Sequence, residues 1–371
     1  MPTYVRSGGV WRQTTQNNIK VAGTWKNSNT YVRHAGSWRT VFQATLDNTA
    51  TIVSSPTLRV GGISGTLYTF GGAQDTNIWA LYVDPNNTSN LYQSGSSVNT
   101  QRSTNGGTSW SQVIATPTGQ MEFYYSGGGR IYTSQNSGGS TVYRSTDYGA
   151  TWTSLGGFGG IGGGSISSGF NTADRLLAEG GNQSNVNYYS SNATAASVTW
   201  ASTSSGDNHM MEGTHNYVCR ATNWADTGVY YSTSWPPSWT ISKLSGTNIT
   251  TGWYVASPRD ATSIGFMINS WSSGSFCYSS DNMANFTAQA NPPGACRMGA
   301  WGNFVYVLTN SGNIWKSTDR GSNFTLVDNL SSFIGTSVST NLGNGYGLSV
   351  SSNGKHCLFM WNGWKCIYSM P

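Results

Sequence analysis

The stretch Ser145-Thr-Asp147-Tyr-Gly149-Ala-Thr-Trp152 returns along most of the chain, and its recurrence decides the fold. Copies run from Ser103 through Asn105 to Trp110, from Ser279 through Asp281 to Phe286, and from Ser317 through Asp319 and Gly321 to Phe324. Ser232 to Trp239 keeps the first and last residues, and Ser190 to Trp200 carries three extra residues before its Trp. An Asp or Asn that accepts hydrogen bonds from turn amides, a Gly at positive φ and an aromatic that seals the next strand describe a strand–turn–strand. The motif is therefore expected to be structural. From one leading Ser to the next the steps are 42, 45, 42, 47 and 38 residues, the period of four-stranded propeller blades.

The pattern S-x-D-x-G-x-x-W/F resembles the Asp-box, or BNR repeat, of sialidase-like β-propellers, with full matches at 145 and 317. The resemblance implies an all-β propeller. The tail Leu358–Ile367 holds an Asn362-Gly363 hairpin signal, and its Trp364 falls 40 residues after Phe324, giving a seventh position. We expect about seven four-stranded blades, with six as the alternative. The domain plan is an arm at 1–43, a linker with possible ring-closing strands at 44–75 and the propeller at 76–371.

Composition agrees. Charged residues make up 9% and aromatics 13% of 371 residues, with 47 Gly, a profile of tight turns and packed rings rather than of disorder. Five scattered Cys read as reduced and mostly buried, and four His form no ligand cluster, so neither metal nor cofactor is expected. The first forty residues lack the apolar core of a signal peptide, and no run reaches a membrane span. The expectation is synthesis in a host cytoplasm with no membrane insertion.

The N-terminal forty residues hold a repeat of their own: Arg6, Trp11 and Arg12, then Lys20, Trp25 and Lys26, then Arg33, Trp38 and Arg39. Each unit reads as a small hairpin, a cation and a Trp-cation pair flanking a Gly-containing turn. Six cations and no acid precede Asp47, leaving 13 cations against 14 acids in the remainder, so the whole excess of +5 lies in this arm. A basic, Trp-bearing arm suits attachment to another protein; the plainer explanation is a solvated face docked on its own propeller. Nucleic acid is disfavoured because the cations recur at fixed hairpin positions and form no dense run. The units are similar to repeats near the ends of bacteriophage tail and other virion structural proteins. That resemblance implies a tail-associated virion protein within a homo- or hetero-oligomeric assembly, anchored by the arm to other tail proteins and presenting the propeller to a host-surface glycan or as a scaffold.

Antiparallel blades put the motif turns on one rim and the outer-to-inner connections on the other, and in sialidase-like propellers the ligand meets the second rim. Candidate ligand residues there are Asp207, His209, Trp224 and Asp226, a ring for stacking and acids for sugar hydroxyls. Ordinary turn residues are the plainer account of the same positions. The sialidase resemblance would need paired acids and an Arg cluster. Glu122, Glu179, Asp207, Glu212 and Asp226 read as lying near the ligand rim, with Glu122, Asp207 and Asp226 first to test. Arg102 and Arg144 precede their motifs toward the wrong rim, so no catalytic residue is nominated. A sialidase-like glycoside hydrolase is the alternative, and a propeller-type assembly factor the third reading.

Overall fold

The computed structural model describes residues 78–329 except short gaps (96–97, 108, 125–127, 136–140, 159–164, 180–185, 206–207, 223–227, 250–253, 261 and 271–273), 348–369 except 362–363, a strand at 66–70, and six strands within 3–42. The chain divides into two compact units, 1–48 and 49–370.

In the first unit each predicted hairpin is a two-stranded antiparallel sheet: Thr3–Ser7 with Val10–Thr14, Asn18–Val21 with Thr24–Asn27, and Thr30–His34 with Ser37–Phe42. The pairing is the same in all three. Arg6 stands opposite Trp11, Lys20 opposite Trp25 and Arg33 opposite Trp38.

The second unit is a propeller of seven blades of four strands, which run in chain order from inner to outer in blades 1 to 6. The inner strands are Ile78–Asp84, Thr118–Phe123, Ile166–Ser168, Asn208–Gly213, Tyr254–Ala256, Ala295–Trp301 and Ser349–Val350. Blade 7 takes its fourth strand, Thr66–Phe70, from before blade 1, pairing it with Trp364–Ser369. This closes the ring and removes an exposed edge. It also corrects the reading of Trp364, which begins the third strand of its blade, whereas Trp152 and its counterparts lead into fourth strands. The seventh blade exists, but its outer strand is not in the tail.

Blade 5 departs from the scheme as well. The connection that follows blade 4 forms a small hairpin, Lys243–Leu244 and Thr247–Asn248, whose first strand lies parallel to the outer strand Asn285–Ala288. Hydrophobic clusters unite residues of neighbouring blades, such as Tyr217, Phe266, Phe276 and Val305 of blades 4, 5 and 6. Tyrosines of second strands reach across: the hydroxyls of Tyr92 and Tyr132 donate to the carbonyls of Tyr148 and Ala173, and Tyr306 donates to Gly354. The five cysteines are free and buried.

The repeated turn is built around its serine. Ser145 Oγ accepts from the amide of Gly149 at 2.8 Å and donates to Asp147 Oδ1 at 2.8 Å, and that oxygen accepts the Thr151 amide at 2.9 Å. Ser317, Asp319, Gly321 and Asn323 repeat the set. Trp152 Nε1 closes it on the Gly149 carbonyl. Burial would raise the Asp147 carboxyl, but hydrogen bonds from Thr151, Ser145 and Ala150 outweigh it and hold the group at about 2.

Gly149 has φ +73°, and a Cβ there would stand 2.6 Å from the Tyr92 ring, whereas Gly156 has φ +78° with open space around it. Gly156→Ala should therefore cost about 1 kcal/mol, the left-handed backbone alone, and Gly149→Ala about 2–4 kcal/mol, backbone plus overpacking. Urea unfolding of the two variants checks this; equal losses would mean the Tyr92 contact yields freely.

Candidate functional site

Direct backbone bonds settle which rim is which. The Tyr148 amide donates to the Gly129 carbonyl, Asn282 to Ser263, Arg320 to Asn303, and Ala193 to Asp174. The repeated turns and the turns after the inner strands therefore share one rim, and the inner strands run toward it.

Glu122 and Glu212 occupy the last positions but one of their inner strands, Thr118–Phe123 and Asn208–Gly213. They lie at the motif-turn end of the axis, which corrects the sequence reading that put them near the opposite rim. The reason is strand polarity: a residue just before the first turn of a blade belongs to the rim of that turn.

There they meet Arg259, which sits in the turn after the inner strand Tyr254–Ala256 with φ +66°. One guanidinium nitrogen of Arg259 bonds Glu122 Oε2, and the other stands 2.7 Å from Glu212 Oε2. Ser168 donates to Glu122 Oε1 at 2.6 Å, and Ser257 donates to the Gly213 carbonyl at 2.9 Å beside Glu212. Blades 2, 3, 4 and 5 are thus joined by one buried network. The side chains are 0% exposed for Glu122, 7% for Glu212 and 11% for Arg259.

Two carboxylates around one guanidinium leave an excess negative charge if both ionise. Burial, with Glu122 adding to it and Arg259 opposing, pushes Glu212 up to about 7. Burial works against the Arg259 cation too, but the two carboxylates outweigh it and hold its pKa above the ordinary value. The Glu212 shift has a sign for stability. Its folded pKa lies above the unfolded value, so the stabilisation is full below about pH 4.5 and is lost as pH rises through about 7. Glu212→Gln should therefore gain on the parent in melting temperature between pH 5 and pH 7.5. A constant difference across that window would show that Glu212 stays ionised throughout.

A cavity of about 50 Å³ adjoins the network, lined by Gln120, Ser257 and Ser349 and by the rings of Tyr82, Phe123 and Trp301. It has room for about three or four waters. Gln120 Nε2 is already held by the Met211 carbonyl at 2.8 Å.

Of the residues nominated for ligand contact, Asp207, Trp224 and Asp226 lie outside the described residues, as do the side chains of His209 and Glu179. The backbone of His209 falls at a register shift between Asn208 and Met210. The structure thus unites Glu122 with Glu212 and adds Arg259, Ser168 and Ser257, which sequence reasoning missed. Ser257-Pro-Arg259-Asp260 does carry a signal, a cation in a short polar turn at blade spacing. Among the described residues no group of three or more His, Cys, Asp or Glu is placed to hold a metal ion.

The class these features define is a seven-bladed β-propeller. No protein-family model matches the chain, and no curated protein matches it in sequence. In structure it is similar to YCF48 from Cyanidioschyzon merolae, at 11% identity and TM-score 0.55 over 82% of this chain and 98% of that one. YCF48 bound to D1 peptide aligns at 12% identity and TM-score 0.55 over 86% of this chain and 100% of the other. U3-55K aligns at 11% and 0.54 over 82% and 98%. At such identities the likeness is one of fold.

Proposed function

We propose that the chain is a tail-associated virion structural protein that docks through its hairpin arm onto other particle proteins and presents its propeller as a recognition platform. The observation that carries the reading is the threefold recurrence of one cation-opposite-Trp pairing, at Arg6 and Trp11, Lys20 and Trp25, and Arg33 and Trp38. An isolated two-stranded hairpin is marginal in water, so three in series with matched chemistry fit a surface that docks. Regular spacing favours a periodic protein partner over nucleic acid.

For the propeller, a binding role is favoured over glycan hydrolysis. Glu122 and Glu212 are both engaged by Arg259 and almost wholly buried, whereas acid–base work on a sugar needs carboxyls free to meet the substrate. A protein partner is favoured over a glycan because a propeller of similar fold, YCF48, is described with a D1 peptide bound.

Immunogold labelling of particles from the source, with an antibody to the propeller, tests the proposal. Gold at a fixed place with the full chain, lost in a variant lacking residues 1–42, is the expected result. Particles that stay unlabelled with the full chain overturn the virion assignment, and release of reducing sugar from a glycan panel would replace it with a glycoside hydrolase.

A further inference from the structure

The repeated turn of blade 4 is the one in which Trp235 and Pro236 stand where Tyr148 and Gly149 stand in blade 2. Ser232 still anchors it, accepting the amides of Ser234 at 3.2 Å and Ser238 at 3.0 Å. The serine anchor is kept, but its second amide comes from Ser238 because Pro236 at the Gly149 position has none to give.

Trp235 leans onto blade 3. Its Nε1 donates to Ser191 Oγ at 2.9 Å, and its ring meets Phe170 edge-on at 6.2 Å and Tyr189 edge-on at 5.7 Å. Phe170 is held at φ +52°, a left-handed conformation that a bulky side chain rarely adopts. The Arg175 guanidinium carbon lies 5.5 Å from the Phe170 ring centroid and 5.8 Å from that of Trp235. Phe170, Arg175, Tyr189 and Trp235 are all half-buried, with Pro236 exposed beside them.

The guanidinium is what lacks a partner. Among the described residues no carboxylate, carbonyl or hydroxyl accepts from it, although Arg320 and Arg259 on the same rim are both ion-paired. The neighbouring Asp174 is occupied by the amide and hydroxyl of Thr194. An arginine flanked by two rings, with its donors turned to solvent, is arranged to take a carboxylate in a fork of parallel hydrogen bonds.

We infer that Phe170, Arg175 and Trp235 form a docking site, on the motif-turn rim, for an acidic peptide segment of a partner protein. A peptide is favoured over a sugar by what surrounds the cation. The hydroxyls nearby each hold one bond already, Ser191 accepting from Trp235 Nε1 and Thr172 donating to the Phe170 carbonyl. What is left is one cation, aromatic rings and a proline, the composition of a protein-interface hot spot rather than of a polar sugar site. The inference rests on reading the propeller as a protein-binding platform.

The test is an array of ten-residue peptides in matched triplets, with Glu, Gln or Lys at two positions around Leu or Phe, probed with the full chain. Binding confined to Glu members, weakened at least tenfold by Arg175→Gln and by Trp235→Leu and partly kept by Arg175→Lys, is the expected result. Melting temperature separates binding from folding: Arg175→Gln should melt within a few degrees of the parent. Equal binding of Glu and Gln members, no binding by any member, or an Arg175→Gln protein that binds like the parent each overturn the site. Arg175-dependent retention on sialylated or sulfated oligosaccharides without peptide binding overturns the choice of partner. The array does not involve particle attachment through the arm, so failure here leaves the virion reading standing, and the reverse holds.

Discussion

Arg259→Ala is expected to lower the unfolding free energy by about 3–5 kcal/mol, because it leaves two buried carboxylates facing each other without their cation. Glu122 and Glu212 approach Arg259 from blades 2 and 4 across the axis. Losing it therefore removes a cross-ring tie as well as a charge. Urea unfolding measures the loss. Should the single variant fail to fold, Glu122→Gln with Glu212→Gln and Arg259→Met in one chain removes all three charges and should recover much of the stability. A single variant as stable as the parent would mean that the carboxylates protonate without strain and that the network holds nothing together.

A larger effect is expected at the closure of the ring. Removing the chain through Phe70 strips blade 7 of Thr66–Phe70, which pairs with Trp364–Ser369 through five residue couples from Thr66 with Ser369 to Phe70 with Lys365. The bare edge of Trp364–Ser369 would then be free to pair with other chains, and such edges aggregate. Removing only residues 1–62 keeps the strand. We expect the shorter deletion to elute as a discrete species in size-exclusion chromatography and the longer one to be recovered as aggregate. Two discrete, equally stable products would show that the fourth strand contributes little to closure.

The blades were legible because the repeated turn is local. Ser145, Asp147, Gly149 and Trp152 satisfy one another within eight residues, so the physical reason for the pattern sits wholly inside it. Met283 shows how far the pattern bends: it takes the Gly149 position in blade 5 with φ +70°. The strand at 66–70 was harder, since nothing near it in sequence tells which edge it will cover. The seventh blade is signalled in the sequence by Trp364, yet that residue opens a third strand, not a fourth.

The central network was the least legible part. Glu122, Glu212 and Arg259 are 90 and 47 residues apart in succession, about two blade periods and one, but the period alone does not tell that these side chains converge on the axis. Phe170, Arg175 and Trp235 come from two different blades in the same way, and Trp235 looked like a mere lapse from the motif.

The repeated turn and the blade period can be read directly from the chain, because the turn is held by hydrogen bonds among residues a few positions apart. So can the repeat of the arm and the segregation of charge there. Which strand closes the ring, which rim the inner-strand acids face and which cations are paired emerge only once the blades are assembled. Those depend on how rings of blades bring distant residues to one axis or one seam, where burial and Coulomb attraction act between groups that the chain order keeps apart.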